Sequence, residues 1–222
     1  MTMKLEAVSL EPEIRGLLAL GLVVVEMTAA ADPSALDTLI DDAVERLRRA
    51  ETGRSAGQIP RLAAARRLYR AFGIDPTRHR PSPEALIRRL LRGQAFPRIH
   101  PAVDLANVWA VESGLPVGLY DLARVHPPVT ARRGRAGESY EGIRRGEIRL
   151  EGRPLLADTR GPFGNPTADS LRSSVGGDSR TLLYVIFAPT SVGRAELGSW
   201  VAWLEARAAE RLAASSRAHL LD

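Results

Sequence analysis

The stretch HPAVDLANVWAVESGLPVGLYD, residues 100–121, decides the fold because it predicts a buried helix just ahead of the short extended segments that follow Asp121. Apolar residues fill most of its helical half, and Gly114 ends the helix, as glycine commonly does. Asp104 and Asn107 interrupt this pattern on one face of the helix, three positions apart. Burying either without a partner costs on the order of 1 to 3 kcal/mol, so they must bond to neighbouring backbone or line a cavity.

Helical and extended patterns occupy separate parts of the remaining chain. Residues 18–27 predict a buried central strand, and residues 32–93 predict three helices that begin near Asp32, after a break at residues 54–57, and at Ser82. Short strands follow, the clearest being EIRLEG (147–152), RPLLAD (153–158) and TLLYVIF (181–187). Apolar residues at helical spacing between 197 and 212 then predict a closing amphipathic helix. This order favours the α+β class.

The composition limits the classes of protein to which this chain can belong. The 222 residues, 45% of them apolar, fit a single domain over 1–222 in which residues 32–93 are a helical elaboration. No apolar run is long enough to cross a bilayer and the first ten residues lack the order of a signal peptide, so we expect a cytoplasmic protein without membrane contact. The absence of cysteine excludes disulfides, thiolate catalysis and cysteine-bound metals.

Standard motifs for cofactors and metals are also missing. The chain contains no GxxxxGK[ST], HExxH, GxSxG or strand-linked GxGxxG sequence, so we predict no cofactor. The glycines of GPFGNP and SVGGDS are interpreted as turn residues. Of four histidines, only His100 has a plausible acidic partner, Asp104, four residues further along, and a metal site needs at least one more ligand. We therefore predict no metal.

Arginines are concentrated in one region. The formal net charge is +5, which favours a polyanionic partner such as nucleic acid, although Lys4 is the only lysine and GC-rich coding would also favour arginine. Residues 54–98 hold eleven arginines and only two acidic residues. These arginines either bind RNA phosphates or form solvated helix faces. The candidate RNA contacts are Arg66, Arg70, Arg88 and Arg92.

Five short motifs carry a family resemblance in their order and spacing. They are VDLAN (103–107), PVGLYD (116–121), AGE (136–138), LLAD (155–158) and PTADSLRSSV (166–175). Together they resemble the B3/B4 domain of the phenylalanyl-tRNA synthetase β subunit, and still more the freestanding B3/B4 proteins of bacteria. The helical segment GIDPTRHRPSPEALIRRLLRG (73–93) is similar to the lead-in of those freestanding forms.

The resemblance implies a three-layer β/β/α core and an editing site that hydrolyses tyrosine wrongly esterified to phenylalanine tRNA. Asp104 and Asn107 match the VDxTN helix at the edge of that site, and Gly118 to Asp121, which include Tyr120, match its HAFD-type turn. The chain departs from the synthetase pattern at two positions. Gly118 replaces a histidine, and Leu171 with Arg172 lies near the position of an active-site glutamate, for which Asp169 is the nearest carboxylate substitute.

The first functional hypothesis is an RNA-binding editing hydrolase that acts in trans on a mischarged aminoacyl-tRNA. Because such an ester is already activated, the protein mainly has to orient water and stabilise an oxyanion. The catalytic residue would be Asp169, backbone N–H groups near Gly118 would face the oxyanion, and Asp104, Asn107, Tyr120 and Arg172 would contact the substrate.

Two alternatives involve no chemistry. The protein is either a module that binds tRNA or another structured RNA through its arginines, or a pocket for a free amino acid or related metabolite. We predict no DNA partner. A complete aminoacyl-tRNA ligase is excluded because the chain is too short and has no nucleotide motif.

Overall fold

The computed structural model describes residues 5–222 and contains five α-helices and ten strands within that range. The helices are α1 (Asp37–Glu51), α2 (Ala63–Ala71), α3 (Ser82–Leu91), α4 (Pro101–Ser113) and α5 (Arg194–Leu212). The strands are β1 (Val8–Leu10), β2 (Leu18–Met27), β3 (Val117–Asp121), β4 (Val129–Arg133), β5 (Ser139–Gly142), β6 (Gly146–Arg149), β7 (Pro154–Asp158), β8 (Gly161–Gly164), β9 (Thr181–Pro189) and β10 (Ala214–Leu221).

The central sheet has the strand order β10-β2-β9-β3, and all of its neighbouring strands are antiparallel. Successive residues of β2 point to opposite faces: Leu22 and Val24 enter one apolar core, while Val23 and Val25 enter another. Both faces are therefore buried, which explains why β2 is an almost uninterrupted apolar run instead of an alternating one.

A second sheet, with the order β1-β4-β7-β8, covers one face of the central sheet. The core between the two sheets joins Val129 of β4, Leu156 of β7 and Phe163 of β8 to residues of β2, β3 and β9. Helices α1, α4 and α5 cover the other face, and β5 and β6 form a separate hairpin. The α+β class and the three-layer β/β/α arrangement are confirmed.

Two tryptophans join α4 and α5 above the central sheet. The Trp109 indole N–H donates to the Trp200 carbonyl oxygen at 3.0 Å, and the two rings meet edge to face with centroids 6.0 Å apart. Gly21 on β2 leaves room for α5, because a Cβ atom at that position would lie 2.8 Å from Val201 Cγ2. None of the helices described in residues 5–222 is long and apolar enough to cross a membrane.

The boundaries of the first two predicted helices differ from those observed. Asp32 accepts a hydrogen bond from the Ser34 N–H, but the chain first makes a turn and regular helix begins at Asp37. After the predicted break, two short 3₁₀ turns precede α2, and Pro60 begins the second of them because proline suits a first turn that needs no N–H donor. The predicted helix at Ser82 is observed as α3.

The end of the chain contains a strand that the sequence analysis did not predict. The amphipathic helix is present as α5, but Ala213 follows it with φ of 47° and turns the chain back. Residues 214–221 then form β10, which pairs along most of β2. Their sequence, ASSRAHLL, contains no β-branched residue and so has little intrinsic preference for a strand.

Gly114 gives a test of how α4 is fixed. Gly114 has φ of +73°, and a Cβ atom there would lie 2.3 Å from the Arg61 carbonyl oxygen. Gly93 has φ of +79° but open space around it, so Gly93→Ala isolates the cost of the left-handed backbone. We expect Gly93→Ala to lower the free energy of unfolding by roughly 1 kcal/mol and Gly114→Ala by more than about 2 kcal/mol, measured by urea denaturation. Equal losses would contradict this account.

Candidate functional site

The buried Asp104 near the start of α4 is explained by one backbone and one side-chain hydrogen bond. Asp104 Oδ1 accepts a hydrogen bond from the Ile99 N–H at 2.9 Å, and Oδ2 accepts one from Arg98 Nε at 3.1 Å. Arg98 also forms an ion pair with Asp37 on α1. Asp104 therefore connects the helix start to the helical layer, whereas the half-buried Asn107 makes no side-chain hydrogen bond with any described residue.

His100 is part of the same helix start. Its Nδ1 atom accepts the Ala102 N–H at 3.2 Å, and burial lowers the pKa of its imidazole. Across residues 5–222, no group of three or more histidine, aspartate or glutamate side chains is placed to hold a metal ion. His100 is the N-cap residue of α4, and Asp104 accepts the N–H of Ile99 just before it.

The second half of the opening stretch positions the Tyr120 phenol. A Cβ atom on Gly118 would lie 2.1 Å from the Tyr120 hydroxyl, and one on Gly164 of β8 would lie 2.2 Å from it. The Tyr120 ring meets Phe163 edge to face at 5.0 Å. Gly164 belongs to the GPFGNP segment that was interpreted only as a turn, but here it provides space for a buried phenol.

Asp169 lies beside this phenol. The residue as a whole is half-buried, but its Oδ1 atom has no contact with solvent and no hydrogen-bond partner among residues 5–222. Oδ2 accepts the Leu119 N–H at 3.3 Å. Burial raises the pKa of the Asp169 carboxyl to about 7, although the Tyr120 hydroxyl and the Leu119 N–H partly oppose that shift. Asp169 is therefore poised to gain or lose a proton near neutral pH.

The Tyr120 hydroxyl is the second unpaired polar group of this cluster. It is buried, and no partner in residues 5–222 meets hydrogen-bond geometry, although the Asp169 carboxyl lies close enough for each group to shift the pKa of the other. Burial, and next the negative charge of Asp169, raise the pKa of Tyr120 well above its ordinary value. Because an unpaired buried hydroxyl costs free energy, its persistence next to an unpaired carboxyl oxygen marks this position as a candidate functional site.

The loop that carries Asp169 is held from several sides. The Tyr140 hydroxyl donates to the Ala168 carbonyl oxygen at 2.5 Å and accepts from Asn165 Nδ2 at 2.7 Å. From α2, the Tyr69 hydroxyl donates to the Pro166 carbonyl oxygen at 3.1 Å. Sequence reasoning missed these three side chains. The Asn-Pro dipeptide at 165–166 indicated a turn, but nothing local indicated which distant tyrosines would hold it.

Arg172 borders this cluster without entering it. Its guanidinium bonds to both carboxylate oxygens of Asp158, at 3.0 and 3.1 Å, and lies 5.7 Å from the centre of the Phe163 ring. It lines an open groove of about 460 Å³ together with Tyr140 and Ser170. Arg172 is thus positioned by its own ion pair at the side of the groove.

The structure therefore does not bring all of the predicted site residues together. The structure brings Gly118, Tyr120 and Asp169 together and puts Arg172 at the adjoining groove. Asp104 borders a different groove of about 390 Å³, at the start of α4. The predicted substrate contacts thus do not all line one groove.

The four arginines proposed for RNA divide into two pairs. Arg66 makes two hydrogen bonds of 2.8 Å to Glu84, whose side chain is only 1% exposed, and Arg88 approaches the same carboxylate at 4.0 Å. Arg70 and Arg92 are exposed and have no ion pair among the described residues. The first pair balances a buried charge, and the second pair is free to meet a ligand.

Comparison with known proteins identifies the family. Residues 64–196, which include nearly all of α2, the Tyr120–Asp169 cluster and Arg172, match the B3/4 domain family. The chain belongs to that family. This B3/4 match confirms the resemblance that the five motifs indicated.

One solved structure similar to this B3/4 protein is an N-terminal fragment of the phenylalanyl-tRNA synthetase β subunit from Pyrococcus horikoshii. It is 13% identical, with a TM-score of 0.49, and the similarity covers 95% of this chain and 50% of that fragment. The chain therefore spans about half the length of that fragment. No curated protein sequence matches the chain.

The role of Arg66 is tested by its removal. Arg66→Ala leaves the buried Glu84 carboxylate without its two hydrogen bonds, so we expect the free energy of unfolding to fall by about 3 to 5 kcal/mol. Arg70→Ala, four positions along the same helix, should change it by less than about 0.5 kcal/mol. Urea denaturation measures both. Similar small effects for the two variants would contradict a structural role for Arg66.

The raised pKa of Asp169 predicts a pH dependence of stability. Between the ordinary aspartate pKa near 4 and the folded value of about 7, the folded state retains a proton that the unfolded state releases. The free energy of unfolding should therefore decrease as pH rises through this window, with a slope of up to about 1.4 kcal/mol per pH unit.

Asp169→Asn should remove this decrease, so that the variant gains stability relative to wild type between pH 4 and 7. The measurement is urea denaturation of both proteins at each pH. Parallel stability curves would rule out the raised pKa.

Proposed function

We propose that this B3/4 protein binds tRNA and hydrolyses the ester of a mischarged aminoacyl-tRNA in trans, with tyrosine or a related aromatic residue on phenylalanine tRNA as the first substrate. The supporting observation is the Asp169 carboxyl, which is shielded from solvent, unpaired at Oδ1 and has a pKa of about 7. A general base is most effective when its pKa lies near the working pH. The proposal treats residues 1–222 as one domain acting in the cytoplasm.

In this mechanism Asp169 Oδ1 accepts a proton from the attacking water. The water oxygen bonds to the ester carbonyl carbon, the bond to the ribose oxygen breaks, and the proton passes to that ribose oxygen. The Leu119 N–H keeps the carboxylate oriented through Oδ2. Because Oδ1 has no contact with solvent, loop 165–169 must move for water and ester to reach it.

The tRNA contacts in this proposal are fewer than the eleven arginines suggest. Exposed and unpaired, Arg70 and Arg92 are available for phosphates, whereas Arg66 is occupied by Glu84. The polar contacts nearer the ester are proposed to be Asn107, whose amide is free, and Arg172. The two hydrogen bonds that Asp104 accepts give it less freedom to contact a substrate.

A non-catalytic RNA-binding module is the second candidate, and one observation favours it. The Tyr120 phenol fills the space between Gly118 and Gly164, so an aromatic side chain has no room there unless Tyr120 moves. A pocket for a free amino acid remains the third alternative. A thermal-shift screen of amino acids separates it from the others, because a saturating ligand raises the melting temperature without RNA.

Deacylation of mischarged tRNA tests the catalytic proposal. We expect tyrosine to be released from phenylalanine tRNA faster than in buffer, with kcat/KM rising as Asp169 ionises and levelling off above about pH 7. Asp169→Asn should reduce kcat/KM by about 10²- to 10⁴-fold, since it removes the general base. The measurement is loss of labelled amino acid from the tRNA.

Asp178→Asn provides the matched control, because this exposed aspartate lies outside the Asp169 cluster and should leave the rate unchanged. Release at the buffer rate for every mischarged tRNA tried would eliminate the hydrolase and leave the binding module.

A further inference from the structure

The groove beside Asp169 is lined in part by positively charged side chains, unlike the Tyr120–Asp169 cluster beneath it. It lies between strand β5 and the turn at residues 170–172, and three of its lining residues are Arg124, Arg160 and Arg172, against a single exposed glutamate, Glu141. An anionic ligand in this groove would therefore meet positive charge on more than one side.

The three arginines differ in how free they are. Arg172 is the most engaged of the three, because its two terminal nitrogens bond Asp158 and two backbone carbonyl groups. Arg160 is exposed and has no ion pair with any residue in 5–222. Arg124 is half exposed and forms an ion pair at 3.5 Å with Asp121, which already accepts the Ser179 hydroxyl at 2.7 Å. Arg124 and Arg160 are the guanidinium groups available to a ligand.

Apolar surface accompanies this charge. Leu171 is 46% exposed at the edge of the groove, and the Tyr140 ring lines it while the Tyr140 hydroxyl points away to Ala168. A charged wall next to aromatic or apolar side chains is the arrangement by which proteins hold unpaired nucleotides. The volume of about 460 Å³ lies in the range of small-ligand pockets, roughly 300 to 1,000 Å³, and is far too small for a double helix.

We infer that this groove receives the unpaired end of an RNA strand, with phosphates on Arg124 and Arg160 and a base against Leu171 and Tyr140. This inference rests on the proposed function for the identity of the ligand as RNA. It also extends that function, because Ser170 of the groove directly follows Asp169 and Tyr140 holds the Asp169 loop. A strand end bound here would carry its terminal ester toward Asp169.

Strand binding by a groove variant tests the inference. The probes are a fluorescent twelve-nucleotide single-stranded RNA and the same RNA annealed to its complement, measured by anisotropy over a series of salt concentrations. Arg124→Ser combined with Arg160→Ser should lower the log–log salt slope for the single strand by about 1.4, at about 0.7 per lost phosphate contact. At 0.1 M salt its affinity should fall by about 10- to 30-fold. Wild type should prefer the single strand to the duplex.

Arg49→Ser combined with Arg194→Ser is the matched control, because it removes the same charge from two exposed arginines outside both the groove and residues 54–98 and should bind like wild type. The inference is overturned if wild type does not bind the single strand, if it binds the duplex equally well, or if the groove and control variants behave alike. Deacylation is read separately. Groove-dependent binding without deacylation defeats only the hydrolase, and deacylation with an unaffected groove variant defeats only this inference.

Discussion

The contact between the Tyr120 phenol and the glycines at 118 and 164 controls the geometry of the site. Tyr120 belongs to the central sheet, whereas Gly164 and Phe163 belong to the covering sheet, so this contact sets how closely the sheets approach. The same strand, β3, presents the Leu119 N–H to Asp169. A side chain larger than hydrogen at Gly164 would push the sheets apart, and one at Gly118, on the same strand as Tyr120, would displace the phenol within the central sheet. The packing of the two sheets therefore also determines the geometry around Asp169.

Asp104 and Asp169 show how differently the fold treats the same side chain. Asp104 has a partner for each oxygen and begins a helix, so its burial is balanced by hydrogen bonds. Asp169 has one backbone donor and leaves an oxygen unpaired in a solvent-free position. A folded protein tolerates such an unsatisfied group only when the rest of the fold compensates, and unsatisfied buried groups concentrate at functional sites. Asp169, and not Asp104, therefore has the properties of a functional residue.

Much of the architecture was predictable because its elements carry strong local patterns. The apolar run of β2, the glycine that ends α4 and the stripe of α5 each predicted an element that the structure contains. Strand β10 was not predictable, since its pairing with β2 overrides its weak intrinsic preference for a strand.

The candidate site was predictable only in part: the motifs indicated Gly118, Tyr120 and Asp169. Tyr69, Tyr140 and Asn165 were missed because their contacts depend on tertiary packing, and the division of the arginines depends on where the buried Glu84 lies.

Strand β10 has a further consequence for how the molecule behaves in a crowded solution. It occupies one side of β2, whose backbone groups would otherwise be open to pairing and whose side chains are among the most apolar of the chain. An uncovered, hydrophobic edge of this kind is a template for association with another copy and for growth into aggregates. Strand β10 covers this edge of β2 and becomes the outer strand of the sheet, where it carries the polar residues Arg217 and His219. Polar side chains on an edge strand disfavour pairing with another copy.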